Sequence, residues 1–118
     1  MEREIKFRAF NPISKRMFLW NEIENFWNFE DVSRINNGSS STILMQFTGL
    51  KEKNGVDIYE GDILKASESI VKIQHSGRGF EGIYLNLSEI ELTPLQNNNY
   101  LHWEVIGNIY ENPELIKP

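Results

Sequence analysis

A chain of 118 residues, 40% hydrophobic and 25% charged, is long enough to bury a core of its own as one domain. With no cysteine it has no disulfide framework, no thiolate nucleophile and no zinc–cysteine site. Its formal net charge of −5 opposes approach to nucleic-acid phosphates and weighs against a dedicated DNA or RNA binder.

The opening MEREIKFRAF carries Glu2 and Glu4 and has no apolar h-region, so it does not read as a secretory signal. The longest apolar runs, at 18–20 and 43–45, are far too short to span a bilayer. A soluble, cytoplasmic chain with no membrane partner is the expectation. Residues 4–10 then alternate Ile5, Phe7 and Ala9 with Lys6 and Arg8, the period of a half-buried strand. Asn11-Pro12 is turn chemistry, and the run MFLW continues extended, so 4–10 and 16–20 read as a β-hairpin.

Residues 21–35 point two ways. Asn21 with Glu24 resembles a capping box, and Ile23, Phe26 and Trp27 fit one helical face, which favours a short helix. Asn25, Asn28 and the aromatic density favour strand and loop. NNGSSS at 36–41 is loop, and TILMQF at 42–47 is a strand with an apolar centre. The strands 63–67, 70–75 and 80–87 follow, the last two joined through HSGRG, whose two glycines suit a hairpin turn. SEIEL is one further candidate strand, 93–100 reads as loop, and 103–110 is the last strand. Asn112 as N-cap with Pro113 at the first helical position predicts a short C-terminal helical turn. The sum is a mainly β chain, α+β at the margin. It reads as a small antiparallel barrel or sandwich of about seven short strands with one or two short helices, a single domain over 1–118.

Between the third and fourth strands lies TGLKEKNGVDIYEGD, residues 48–62, with glycines at 49, 55 and 61. As a Ca²⁺ loop it fails, because Lys51 and Lys53 occupy alternate positions and Asp57, Glu60 and Asp62 miss the ligand offsets. As a phosphate loop it lacks the Lys-Ser/Thr pair and leads into a strand. The favoured reading is two tight turns, a type I′ turn at Asn54-Gly55 and a second around Gly61, with Ile58 and Tyr59 anchored on an apolar face.

Other candidates carry little chemistry. His75 and His102 have neither metal spacing nor a nucleophile, and Glu81, Glu89 and Glu91 read as a solvated acidic face that guards a strand edge. Neither a catalytic site nor a metal or cofactor is expected. Lys72, His75, Arg78, Phe80 and Tyr84 form the one basic–aromatic cluster, an alternative single-strand nucleic-acid surface if the aromatics are not core. Phe26, Trp27 and Phe29 cannot all face inward from one element, and an exposed remainder marks a protein interface, with Lys51 and Lys53 at its rim.

Three stretches, IKFRAF with KRM, ILMQFTGLKEKNGVDIYEGDIL, and WEVIGNIYENPEL, resemble in order and spacing the YopX family of phage and prophage proteins. The family often has R-A-W-D at 8–11 and D-K-N-G at 52–55, where this chain has Arg8, Ala9, Phe10, Asn11 and Glu52, Lys53, Asn54, Gly55. Residues 66–99 have no counterpart in the resemblance and form a variable middle region. The resemblance implies a β-rich accessory protein of a phage or prophage, working in the bacterial host cytoplasm as a homo-oligomer or on a host or phage protein. It carries over no catalytic, metal or cofactor residue.

Overall fold

The computed structural model describes residues 5–23, 42–77, 79–85, 92–94 and 102–116. The chain forms two compact units, Met1–Phe47 and Thr48–Pro118. Phe26, Trp27, Phe29, Glu89 and Glu91 lie outside the described residues, as does Arg78.

The N-terminal unit is built on a hairpin. β1 (Phe7–Asn11) pairs antiparallel with β2 (Arg16–Phe18), Ala9 opposite Phe18 and Asn11 opposite Arg16. The predicted Asn11-Pro12 turn is present. The Asn11 side chain accepts the N–H groups of Ile13 and Ser14 at 2.9 and 3.2 Å, and Lys15 returns its N–H to the Asn11 carbonyl at 2.7 Å. A single helical turn, α1 (Trp20–Ile23), follows at once. Its cap is Leu19, not Asn21. The Leu19 N–H donates to Glu22 Oε1 at 3.2 Å, the carboxylate arm of a capping box, and Asn21 lies inside the helix. On the other side of β1, the start of β3 (Ile43–Lys51) pairs antiparallel, with Ala9 opposite Leu44 and Arg8 opposite Met45. Among the described residues of this unit Ala9, Phe10, Phe18, Met45 and Phe47 are buried, and Ile23 of α1 packs on Ala9 and Phe18. Arg8 departs from the half-buried pattern, because the face it shares with Phe10 is buried as well.

In the second unit the remainder of β3 turns back onto β4 (Asp57–Tyr59), completing the strand order β2-β1-β3-β4. A five-stranded antiparallel sheet follows in the order β8-β7-β6-β5-β9. Its strands are β5 (Asp62–Ala66), β6 (Ser69–Ser76), β7 (Gly79–Tyr84), β8 (Leu92–Pro94) and β9 (Glu104–Asn108). The core is Ile58, Leu64, Val71, Ile73 and Trp103, joined by Leu50, Ala66, Tyr84 and Val105. The pleat of β6 presents the β-branched Val71 and Ile73 to the same, buried side. A 3-10 turn, Pro113–Ile116, sits where the Asn-Pro pair placed a helical turn.

The chain is therefore mainly β, in two antiparallel sheets, as its periodicity predicts. Several boundaries moved: β2 ends at Phe18 with Trp20 in α1, β7 ends at Tyr84, and Asp57–Tyr59, expected only to anchor the segment between two turns, is a strand. Thr93 and Pro94, expected in a loop, form part of β8, at the end of the strand order, where a missing N–H is tolerated. β3 runs on through Gly49, which takes φ 89°, a conformation that lets the strand continue with a local irregularity.

Candidate functional site: the loop at 48–62

The loop begins with Glu52. This carboxylate side chain is only 3% exposed, and its hydrogen bonds among the described residues go to no cation. Instead it binds backbone. Oε1 accepts the N–H groups of Asn54 at 2.6 Å and Val56 at 3.1 Å, and Oε2 accepts the N–H of Val105 on β9 at 3.1 Å. The Asn54 amide adds a weak contact to Oε2 at 3.5 Å and another to Glu104 at 3.4 Å. Burial pushes the Glu52 carboxyl up, but the N–H groups of Val56, Val105 and Asn54, with the Asn54 amide, outweigh it and hold the group below its ordinary value. The Lys53 N–H donates to the Trp103 carbonyl at 3.2 Å, so the turn is tied to the approach of β9 at two points.

The turn itself is not type I′. Type I′ needs positive φ at both central residues, and Gly55, at φ 81°, is the one member of the pair that has it. Gly55 N–H bonds the Glu52 carbonyl at 2.9 Å, and Glu52 N–H bonds the Val56 carbonyl at 2.9 Å. That is the three-residue hairpin loop in which a glycine in the left-handed region supplies the bulge. The reason is Glu52: a carboxylate reaching forward to the N–H groups of residues 54 and 56 fits the ordinary turn followed by a bulge.

The second turn is as expected at Gly61, with φ 90°. Gly61 N–H donates to the Ile73 carbonyl at 2.8 Å, and its carbonyl accepts the Ile109 N–H at 2.9 Å. Asp62, 1% exposed, accepts the Tyr59 N–H at 2.7 Å and closes the turn from its far side. Ile58 and Tyr59 are buried, as the anchoring reading requires. Thr48 donates its hydroxyl to the Ile58 carbonyl at 2.7 Å.

A third polar knot closes β9. Asn108 Oδ1 accepts the N–H groups of Tyr110 and Glu111, at 3.0 and 2.8 Å, and Asn112 Oδ1 accepts the Asn108 N–H at 3.1 Å. Asn112 thus reaches back to the strand, while its carbonyl accepts the Leu115 N–H at 3.0 Å. Gly107 makes room: a Cβ there would stand 2.6 Å from Asn112 Oδ1.

The other sequence candidates separate. Lys51 is exposed and ion-paired with Asp57 at 2.6 Å, and Lys53 is exposed. Lys72 pairs opposite Ile83, whereas Phe80 pairs opposite His75 and Tyr84 opposite Val71. Directly opposed residues share a face, so Lys72 points to the side away from Phe80 and Tyr84. Tyr84 packs with Trp103 at 6.3 Å and joins the core, and Phe80 meets His75 edge-on at 4.8 Å. The basic–aromatic cluster is thereby split across the sheet. Glu81 accepts the Gln74 amide at 3.0 Å. No group of three or more His, Asp or Glu among the described residues is arranged to hold a metal ion. No helix among them is long and apolar enough to cross a membrane.

Glu52 and Asp62 in the motif, and Asn108 and Asn112 at the end of β9, bind main chain, in a small two-sheet β protein whose most distinctive loop is held by structural clasps. The chain belongs to the YopX family, whose model, described as YopX protein, matches residues 6–117. It is similar to the crystal structure of protein EF1440 from Enterococcus faecalis, at 25% identity and a TM-score of 0.65, over 98% of this chain and 100% of that one. No curated protein matches it.

Proposed function

We propose that this YopX-family chain is a phage or prophage accessory protein that acts by protein–protein contact in the bacterial cytoplasm, by self-association or on a host or phage partner, and not by catalysis. The observation that carries the reading is the exposure of large apolar side chains in the N-terminal unit. Leu44, in the middle of the paired part of β3, is 58% exposed, and Ile13 in the hairpin loop is 62% exposed; Ile5 and Leu19 are exposed as well. An apolar side chain standing out of a regular strand is the kind of feature that interfaces cover. The same stretch of sequence carries Phe26, Trp27 and Phe29, aromatic residues of the type enriched at interface centres.

Light scattering across a concentration series, paired with affinity capture from infected cells, tests this. The wild-type chain is expected to assemble or to retain a protein partner, and Leu44→Glu to weaken that contact while leaving the melting temperature nearly unchanged. A concentration-independent monomer that retains no protein sinks the proposal. Retention of an oligonucleotide that is released as salt rises would transfer the chain to the nucleic-acid reading.

A further inference from the structure

We propose that Asn54 is a deamidation site gated by the Glu52 clasp, and that its conversion loosens the tie between the 52–56 turn and β9. Asn-Gly is the dipeptide in which backbone attack on the side chain is least hindered, because glycine presents no Cβ to the incoming ring. Gly55 also stands in open space, since a Cβ built on it would meet nothing within 4 Å beyond its two chain neighbours. Asn54 is exposed, and among the described residues its amide is held by contacts of 3.5 and 3.4 Å to Glu52 and Glu104, near the limit of a hydrogen bond.

The step balances without any redox partner. Gly55 N loses its proton to solvent base and attacks Asn54 Cγ. The Cγ–Nδ2 bond breaks and ammonia leaves, giving a cyclic imide. One water then opens the ring at either carbonyl, leaving aspartate or isoaspartate. The clasp opposes the first move, because Gly55 N–H is bonded to the Glu52 carbonyl at 2.9 Å and Asn54 N–H to Glu52 Oε1 at 2.6 Å. Reaction therefore requires the turn to open.

The product acts on the same clasp. A carboxylate at position 54 replaces an amide donor between two carboxylates, Glu52 and Glu104, in a chain already at net −5. Like charges at that range repel. Isoaspartate also lengthens the backbone by one methylene inside a three-residue loop, so the Glu52–Val56 and Gly55–Glu52 bonds no longer close together.

Incubation of the intact protein at mildly alkaline pH, followed by peptide mapping for aspartate and isoaspartate, reads the site. Mapping is needed because the chain's second Asn-Gly pair, Asn37-Gly38, gives the same mass change. Conversion at Asn54 is expected to be several-fold slower in the native protein than in denaturing urea, and to accelerate in Glu52→Gln. Asn54→Asp is expected to melt about 3–6 °C lower than wild type, and Asn54→Ser, which loses the amide without gaining charge, to fall between them. Equal rates in native and urea-denatured protein would remove the gate. An unchanged melting temperature in Asn54→Asp would remove the consequence, even if Glu52→Gln fails to fold.

Discussion

The two units solve the same problem with different material. The second buries a cluster of five large or branched side chains and then seals its turns with buried polar side chains bonded to backbone. The first, among its described residues, buries Ala9, Phe10, Phe18, Met45 and Phe47 and leaves Ile5, Ile13, Leu19 and Leu44 exposed. Both units leave apolar side chains exposed, Val56, Leu92 and Ile116 in the second, and what sets the second apart is the polar side chains that tie its turns to main chain. The most motif-like part of the chain belongs to the architecture, while the proposed contact rests on the plainer N-terminal hairpin.

Substitutions can break or sharpen this contrast. The largest effect is expected from Ile73→Ala, which empties a fully buried position in the second unit and should cost about 2–5 kcal/mol by urea denaturation. A smaller loss would mean that this core is less tightly packed than its burial implies. Next, Gly61→Val places a β-branched side chain at φ 90°, between two backbone hydrogen bonds, and should cost about 1–3 kcal/mol. Lys53→Ala, a few residues away on an exposed side chain, should stay within about 0.5 kcal/mol in the same assay.

Glu52→Gln is expected to cost about 1–3 kcal/mol at neutral pH, since a neutral amide replaces a carboxylate that accepts backbone N–H groups through both oxygens. The sign of its pH dependence follows from the lowered carboxyl. A folded value below the unfolded one, near about 4.3, stabilises the native state above that pH, and the stabilisation disappears as pH falls through the folded value. Melting curves of wild type and variant should therefore converge in acid; a constant gap would show that Glu52 acts by shape alone. Leu44→Glu, like Lys53→Ala, is expected to stay within about 0.5 kcal/mol, because the side chain it replaces is already exposed. A large loss there would show Leu44 to be packed.

Much of the fold was legible because strands announce themselves by period two and turns by glycine, proline and asparagine. The hairpin at Asn11-Pro12, the turn at Gly61 and the 3-10 turn after Asn112 all lie where local chemistry points. Local chemistry misled where a side chain had a choice of partners. Asn54-Gly55 is the favoured pair for a type I′ turn, but the Glu52 carboxylate selected the bulged loop. Asn21 has capping chemistry, but the helix starts earlier, where Glu22 accepts the N–H of Leu19, two residues before Asn21. The basic–aromatic cluster looked coherent along the chain until register put Lys72 on the face opposite Phe80 and Tyr84.

By itself, the sequence determined the β-rich class, the positions of the tight turns and the kinship with the YopX family, since each rests on residue type at short range or on order along the chain. Only the tertiary structure decided what Glu52 does. Its essential partner, Val105, lies 53 residues away, and no local pattern tells an exposed glutamate in a turn from one that a distant strand will cover. A carboxylate surrounded by N–H donors is stable when buried, and that surrounding exists only after β9 has docked.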